Sequence, residues 1–126
     1  MKYKYRTKRK KNCQELNIII NMVDQYLFDS EGNWIAFRVG IYLFDIDSDW
    51  IGWLPWDTLD VVSAGGKYIG SIYENDRFYY FENTILPLVI NNVPYPPLPS
   101  FPPYPGYGGF RFLPMFARDI DWLKKF

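Results

Sequence analysis

The chain has 126 residues, of which 21% are aromatic, and it contains one cysteine, Cys13, and no histidine. A chain of this length can bury a core as a single domain. Because histidine is absent and Cys13 is alone, an internal disulfide, a Cys/His zinc site and a His-based catalytic triad are excluded. Aromatic residues suit pleated, half-buried strands, so the composition indicates a β-rich fold.

Charge divides the sequence into a basic start and an acidic remainder. Seven of the 14 basic residues lie within residues 1–11, and from Asn12 onward 7 basic residues stand against 14 acidic ones, a net charge of −7. We assign residues 1–12 to a basic tail, which is typical of a solvated terminus and also suits contacts with nucleic acid or anionic lipid. In the nucleic-acid alternative, phosphates are contacted by Lys2, Lys4, Arg6, Lys8, Arg9, Lys10 and Lys11, and bases stack on Tyr3 and Tyr5.

The apolar run LNIIINMV, which follows the basic tail, has the placement of a secretory signal but not its chemistry. Asn17 and Asn21 interrupt it, Glu15 and Asp24 flank it, and no small-x-small cleavage site follows. No stretch reaches the roughly 18 apolar residues of a membrane-spanning helix. We therefore expect a cytoplasmic protein with no membrane partner.

Three segments align without a gap and organise the chain: YLFDSEGNWIAF (26–37), YLFDIDSDWIGW (42–53) and DVVSAGGKYIGS (60–71). Each has a strand-like start, a polar turn and an aromatic-Ile-small triplet. Two β-forming runs joined by such a turn predict a β-hairpin. The triplets are Trp34-Ile35-Ala36, Trp50-Ile51-Gly52 and Tyr68-Ile69-Gly70.

Alternation along each hairpin places Tyr26 and Phe28 on one face and Leu27 on the other. Because a lone hairpin is marginally stable in water, the units must pack on one another, and the small residue of each triplet then marks a close approach of neighbouring backbones. A fourth, degenerate unit is predicted in FYYFENTILPLV (78–89). We predict an all-β domain over residues 13–91, made of four short β-hairpin repeats with pseudo-fourfold symmetry.

These triplets in consecutive hairpins, followed by a proline-rich stretch and a terminal Trp segment, resemble the small bacterial domain family called the 4-fold beta flower. The likeness covers about residues 23–126. The fourth unit and the basic tail depart from the pattern. The resemblance implies the hairpin fold, and since the family has no established function it implies no site.

The turn of the second hairpin carries Asp45, Asp47 and Asp49, the spacing with which an EF-hand calcium loop begins. The rest of such a loop is missing, because its glycine position holds Trp50 and its final glutamate position holds Trp56. The matching turns of the sister units have fewer acids, and Asp caps turn backbone well. We interpret the three acids as turn formers, with a metal or acid-base site as the alternative.

A carboxylate-dependent hydrolase is a third functional hypothesis, because several further acids lie near loop ends. No pair stands out among them, so we predict no enzyme activity, no catalytic residue, no cofactor and no metal. The acids concerned are Asp57, Asp60, Glu74, Asp76 and Glu82.

Residues 92–115 form a proline-rich arm, since seven of the ten prolines lie between Pro94 and Pro105. Closely spaced prolines favour polyproline II and exclude a central strand. The arm is either an exposed ligand for the aromatic groove of a partner or a segment packed on its own domain. The interleaved large apolar residues favour packing on the domain. The candidate binding residues are Tyr95, Pro97, Leu98, Phe101 and Tyr104.

Residues 116–126 place Phe116, Ile120 and Leu123 at helical spacing and end with lysines, which predicts a short C-terminal helix docked on the core. The whole sequence favours a non-catalytic binding or protein-interaction module. Its partner would be another protein or a second copy that covers the apolar faces. A nucleic-acid-associated protein is the runner-up.

Overall fold

The computed structural model describes residues 23–87, 93–98 and 101–126, so the basic tail lies outside the described residues. Within those ranges the protein is all-β and contains no helix. The predicted fold of short hairpin repeats is confirmed. The strands are β1 (Gln25–Phe28), β2 (Trp34–Val39), β3 (Tyr42–Asp45), β4 (Trp50–Trp53), β5 (Asp60–Val62), β6 (Tyr68–Tyr73), β7 (Arg77–Phe81) and β8 (Ala117–Asp119).

The sheet closes on itself. Consecutive strands pair antiparallel from β1 to β8, and β1 also pairs in parallel with β7. That closing contact joins Phe28 with Arg77, and Phe28 N donates a hydrogen bond to Asp76 O at 2.8 Å. Strands β1 to β7 thus form a closed barrel, and β8 pairs with the part of β7 that β1 leaves free. Closure leaves little unpaired strand edge.

The first three hairpins share one register. In each, the second residue of the sequence repeat pairs with the small residue of the triplet, and the third residue pairs with the aromatic one. The isoleucine between them forms a bulge, which increases the local twist. The pairs are Leu27 with Ala36 and Phe28 with Trp34, Leu43 with Gly52 and Phe44 with Trp50, and Val61 with Gly70 and Val62 with Tyr68.

The two faces of the sheet carry different cores. Leu27, Leu43 and Val61 are fully buried on one face in a cluster with the repeat isoleucines. The other face carries an aromatic cluster in which Phe37 and Phe44 stack with centroids 5.3 Å apart. The predicted alternation is confirmed, and burial of this apolar area is the main force that holds the hairpins together.

The small residues of the triplets lie where backbones touch. A Cβ on Gly52 would lie 2.6 Å from Val62 O, and one on Gly70 would lie 2.9 Å from Tyr79 O. Atoms cannot approach so closely without displacement of a strand, so a larger side chain is excluded at these positions.

The fourth unit starts one residue earlier than its sequence suggests. Ser71 of β6 pairs with Tyr79, whereas the earlier units pair Phe37 with Phe44 and Trp53 with Val62. By this register the unit begins at Arg77 and not at residue 78, which is a correction of the prediction. Its second strand also differs from the prediction, because residues 82–87 form no strand.

Strand β8 supplies the missing half of the fourth unit. It pairs Tyr79 with Asp119, as the other hairpins pair their third residue with the aromatic one. Asp119, Ile120 and Asp121 therefore take the places of the aromatic-Ile-small triplet. Ile120 is 3% exposed and lies in the same cluster as the other repeat isoleucines.

The predicted C-terminal helix is wrong. Residues 117–119 form β8, and bends follow it. Phe116 has a φ of 67°, outside the right-handed helical region. Ile120 and Leu123 are both buried, but the extended chain carries them into the core without a helix. Over so short a run, helical spacing does not distinguish the two conformations.

Candidate functional site

The three hairpin turns share one hydrogen-bond pattern. In the first, Asp29 N donates to Asn33 O at 3.0 Å and Gly32 N donates to Asp29 O at 3.1 Å. The fourth turn residue is left-handed in each case, which is the geometry of a type I turn followed by a bulge. In the second turn the equivalent bonds join Asp45 with Asp49 and with Ser48, and in the third they join Ser63 with Lys67 and with Gly66. The positive φ angles are 88° at Gly32, 66° at Ser48 and 87° at Gly66.

The side chain of Asp45 caps the turn of the second hairpin. Its Oδ1 accepts hydrogen bonds from Asp47 N at 2.9 Å and Asp49 N at 3.0 Å. Asp29 makes the same two bonds in the first turn, at 3.0 and 2.8 Å, and Ser63 Oγ makes one of them in the third, at 3.2 Å. The position requires an oxygen acceptor, and a serine suffices.

A lysine partly neutralises the acidic cluster. Oxygens of Asp45, Asp47 and Asp49 lie within 4.8 Å of one another. Lys124 Nζ donates to Asp47 Oδ2 at 2.6 Å, and this hydrogen bond and the charge of Asp47 raise the pKa of Lys124 above its ordinary value. The contacts support the turn interpretation of the three acids.

Most acids named for the hydrolase hypothesis are bonded to cations or hydroxyls in the described part of the chain. This leaves their carboxylates engaged in holding loops together. Asp60 accepts from Ser71 Oγ at 2.6 Å and Thr58 Oγ1 at 3.0 Å, Glu74 and Asp76 each lie 3.3 Å from Arg111, and Glu82 lies 3.2 Å from Arg118.

The C-terminal segment joins the fourth unit to the first. We call this junction the seam, and it comprises Asp29, Ser30, Arg77, Tyr79 and Asp119. Ser30 donates to the Asp119 carboxylate from both N and Oγ, at 2.8 and 2.5 Å. The backbone continues the connection, since Arg111 N donates to Ser30 O at 2.8 Å, Gly108 N to Gly32 O at 2.9 Å and Phe126 N to Trp34 O at 3.0 Å.

Arg77 is the buried cation of the seam, with 1% of its side chain exposed. Its Nη1 donates to Asp29 O at 2.7 Å and its Nη2 to Gly108 O at 2.5 Å. Its Nε lies 3.4 Å from Asp76, and its guanidinium lies 5.8 Å from the centroid of the Phe28 ring. A buried charge is tolerated only with such partners, so Arg77 holds three chain segments in one arrangement.

Tyr79 lies beside Arg77 and is 1% exposed. Its hydroxyl has no hydrogen-bond partner among the described residues. Burial raises the pKa of Tyr79 above its ordinary value of 10.0, and Arg77 opposes part of this effect. The seam groups hold chain segments together, and we assign the seam a structural role.

The proline-rich arm divides into exposed and packed parts. Tyr95 and Leu98 are 94% exposed and Phe101 is 78% exposed, whereas Tyr104 stacks on Phe126 with centroids 4.0 Å apart. Pro97 is also exposed. Packing on the domain is thus observed from Tyr104 onward. Residues 93–98 and 101–105 make no hydrogen bond to another described residue.

Exposed apolar side chains are concentrated in the same part of the chain. Of the 15 exposed large hydrophobic residues among those described, 12 lie between Tyr95 and Phe126. The hairpins of the barrel contribute Ile41 and Leu59 alone. Concentrations of exposed apolar side chains are typical of interaction surfaces in other proteins.

A cleft of about 390 Å³ is lined by residues of β6, β7 and β8, by Lys67 directly before β6, and by residues that follow β8. Two tyrosines form its aromatic wall, since the rings of Tyr68 and Tyr80 have centroids 5.2 Å apart and are tilted by 43°. Trp122 also lines it and is 56% exposed. The buried repeat isoleucines Ile69 and Ile120 complete the apolar lining.

Charged groups stand at the same cleft. Arg118 lies over the Tyr80 ring at 4.6 Å and pairs with Glu82 at 3.2 Å. Lys67 is exposed, and its Nζ has no partner in the described part of the chain. Asp121 is the one acid of the lining. The cleft therefore combines aromatic rings with hydrogen-bond donors.

Sequence reasoning missed this cleft. It named Tyr68 as a repeat residue but did not single out Tyr80, Arg118 or Trp122 as binding residues. Only the pairing of β7 with β8 brings these side chains together. The sequence signal that could have indicated this pairing was Ile120, which takes the place of the repeat isoleucine.

In the described ranges, no helix has the length and apolar character needed to cross a membrane. The chain matches no protein-family model, no curated protein and no solved structure.

Proposed function

We propose that the protein is a non-catalytic, cytoplasmic protein-interaction module that presents its proline-rich arm to a protein partner. The observation that carries this proposal is the exposure of Tyr95, Leu98 and Phe101, each more than three-quarters accessible, among closely spaced prolines. The arm follows the strands of the closed barrel along the chain.

The arm has the chemistry of a preformed ligand. Proline restricts φ, so a proline-rich segment loses little conformational entropy when it binds. Large apolar side chains between the prolines provide the contacts that aromatic grooves recognise. Exposure of such side chains in the free protein is explained when a partner covers them.

The arm carries no charge from residue 92 to residue 110, which restricts the kind of recognition. No charged residue occurs between Glu82 and Arg111. Binding therefore depends on apolar contact and on backbone carbonyl groups, and its affinity changes little with salt.

Site-specific photo-crosslinking in cells tests the proposal. A benzophenone side chain is placed at Phe101 or at Tyr95, and at Ile41 on the barrel as a control of comparable character. We expect a protein adduct from the two arm positions and none from Ile41. Absence of an adduct at both arm positions contradicts the proposal.

The basic tail supports a second candidate function, contact with nucleic acid, because residues 1–11 carry seven basic side chains. A labelled single-stranded oligonucleotide of mixed sequence is the probe. Binding that falls steeply with salt and disappears on removal of residues 1–11 supports this function. Binding that persists without the tail contradicts it.

A further inference from the structure

We propose that the cleft walled by Tyr68, Tyr80 and Trp122 binds the proline-rich arm of a second copy of this chain, so that copies associate head to tail. The inference rests on the proposed function, because it names the partner of the exposed arm. It adds a binding site to the chain, with a polyproline segment as its ligand.

The size and lining of the cleft suit this ligand. Its volume of about 390 Å³ lies within the range of ligand-binding clefts. Polyproline segments are recognised in grooves between aromatic side chains, where proline rings lie against the aromatic faces. The rings of Tyr68 and Tyr80 lie against each other, with centroids 5.2 Å apart, so a proline ring would pack on the aromatic surface that this pair presents to the cleft and not between the two rings. Trp122, which also lines the cleft, is 56% exposed and offers a further aromatic surface.

Hydrogen-bonding groups of cleft and arm are complementary. Proline has no N–H, so a proline-rich segment presents mainly carbonyl acceptors. The cleft offers donors, namely the Lys67 ammonium, the Arg118 guanidinium and the Trp122 indole N–H. The Lys67 Nζ lacks a partner among the described residues, so it is available for a carbonyl of the arm.

Charge favours a neutral occupant over a polyanion. The chain from Asn12 onward has a net charge of −7, and Asp121 and Glu82 stand at or beside the cleft. Aromatic rings with Lys67 and Arg118 would otherwise suit a nucleic acid strand. The uncharged part of the arm, residues 92–110, avoids the repulsion that the acidic body exerts on phosphates.

Both halves of the contact are accessible in the same molecule. Tyr95 and Leu98 are 94% exposed, so this part of the arm does not fill the chain's own cleft. Arm and cleft are different surfaces, so their contact is heterologous, and each copy can engage one neighbour through each surface.

Complementation between two variants of the full chain tests the inference by sedimentation velocity over a wide concentration range. Trp122→Ala removes a wall of the cleft, and Leu98→Asp places a charge on the arm. Both side chains are more than half exposed, so we expect both variants to fold. Trp56→Ala, at a half-buried tryptophan outside the cleft, is the control. Lys67→Ala is a second cleft variant should Trp122→Ala prove unfolded.

We expect concentration-dependent association of the wild type and of Trp56→Ala. Each contact variant alone should associate with a Kd at least about tenfold higher. A mixture of Trp122→Ala and Leu98→Asp should form a heterodimer with near wild-type affinity, because one variant retains its arm and the other its cleft.

Other results overturn the inference. The inference is wrong if the wild type is monomeric, if association survives the cleft variants, or if the mixture forms no heterodimer. If the wild type is monomeric while Phe101 crosslinks to a different protein, the second-copy partner is wrong and the proposed function stands. If neither association nor an adduct is found, both are wrong.

Discussion

The first three hairpins and the fourth unit reach the same register by different routes. Each of the first three is closed by its own turn, in which an Asp or Ser oxygen caps the backbone. The fourth pairs β7 with β8, whose sequence lies more than 30 residues further along the chain. A repeat geometry can therefore be completed by a strand that does not belong to the sequence repeat.

Because its second strand comes from a distant segment, the fourth unit makes different hydrogen bonds at the position of the aromatic residue. Trp34 and Trp50 donate their indole N–H groups to carbonyls of their own strands, at Ala36 O and Gly52 O. Asp119 takes the corresponding place in the fourth unit but binds Ser30 of the first turn. The fourth unit is thus both the last repeat and the connection that holds the barrel closed.

The largest expected effect comes from Ile120→Ala, which removes the core residue that β8 contributes. A cavity at this 3% exposed site should lower the free energy of unfolding by about 2–5 kcal/mol. Urea denaturation measures the loss, and limited proteolysis should cut residues 101–126 first. Ile35→Ala should cost a similar amount without this preferential cutting. Equal cutting patterns would show that the fourth unit opens no more readily than the first.

Gly108→Ala should weaken the seam without touching β8. The added Cβ would lie 2.5 Å from the Phe28 ring, and relief of this overlap should cost about 1–3 kcal/mol of stability. Gly65→Ala is the control, because its Cβ would meet no atom nearer than 3.9 Å. If Gly108→Ala melts at the same temperature as the control, Gly108 does not lie in close contact with the Phe28 ring.

Asp29 and Asp45 cap equivalent turns, but only Asp29 belongs to the seam. The variants Asp29→Ala and Asp45→Ala therefore compare the loss of stability at the seam with the loss away from it. Loss of the two capping bonds at the half-exposed Asp45 should cost about 0.5–1.5 kcal/mol. Asp29 is 1% exposed and also lies 3.5 Å from Lys125, so its loss should cost more, about 1–3 kcal/mol.

The acidic turn also makes a prediction about metal. Asp47→Ala should change the free energy of unfolding by no more than about 0.5 kcal/mol, because the side chain is exposed. Calcium should leave the melting temperature of the wild type unchanged. A calcium-dependent rise that Asp47→Ala abolishes would favour the metal alternative.

The smallest effect at neutral pH is expected from Tyr79→Phe, which removes a buried hydroxyl that has no partner in the described structure. Its stability should equal or slightly exceed that of the wild type at pH 7. Because the pKa of Tyr79 is raised by burial, the unfolded chain loses this proton first, and wild-type stability falls as pH rises above about 10. The variant should lose less.

Lys124 also contributes to the alkaline behaviour. Its raised pKa stabilises the folded state at lower pH, and this contribution is likewise lost as pH rises through its folded-state pKa. Both proteins retain Lys124, so the difference between their alkaline unfolding curves reports Tyr79. Identical curves would contradict a raised pKa for this tyrosine.

Much of the fold could be read from short stretches. The paired runs, the turn residues and the triplets of the first three hairpins each lie within 12 residues, so strand pairing there is local. The same argument assigned Asp45, Asp47 and Asp49 to a turn. It failed for residues 116–126, where the spacing of Ile120 and Leu123 fits a helix and the chain forms β8.

The sequence by itself therefore determined the hairpins, the face on which each side chain lies and the small residues where backbones meet, because these depend on alternation and on neighbours along the chain. Only the tertiary structure decided which segment completes the fourth unit, why Arg77 is buried and where the aromatic cleft lies. These depend on the edge of β7 that remains unpaired once β1 has closed the barrel, and pairing of that edge with a distant segment leaves no local pattern.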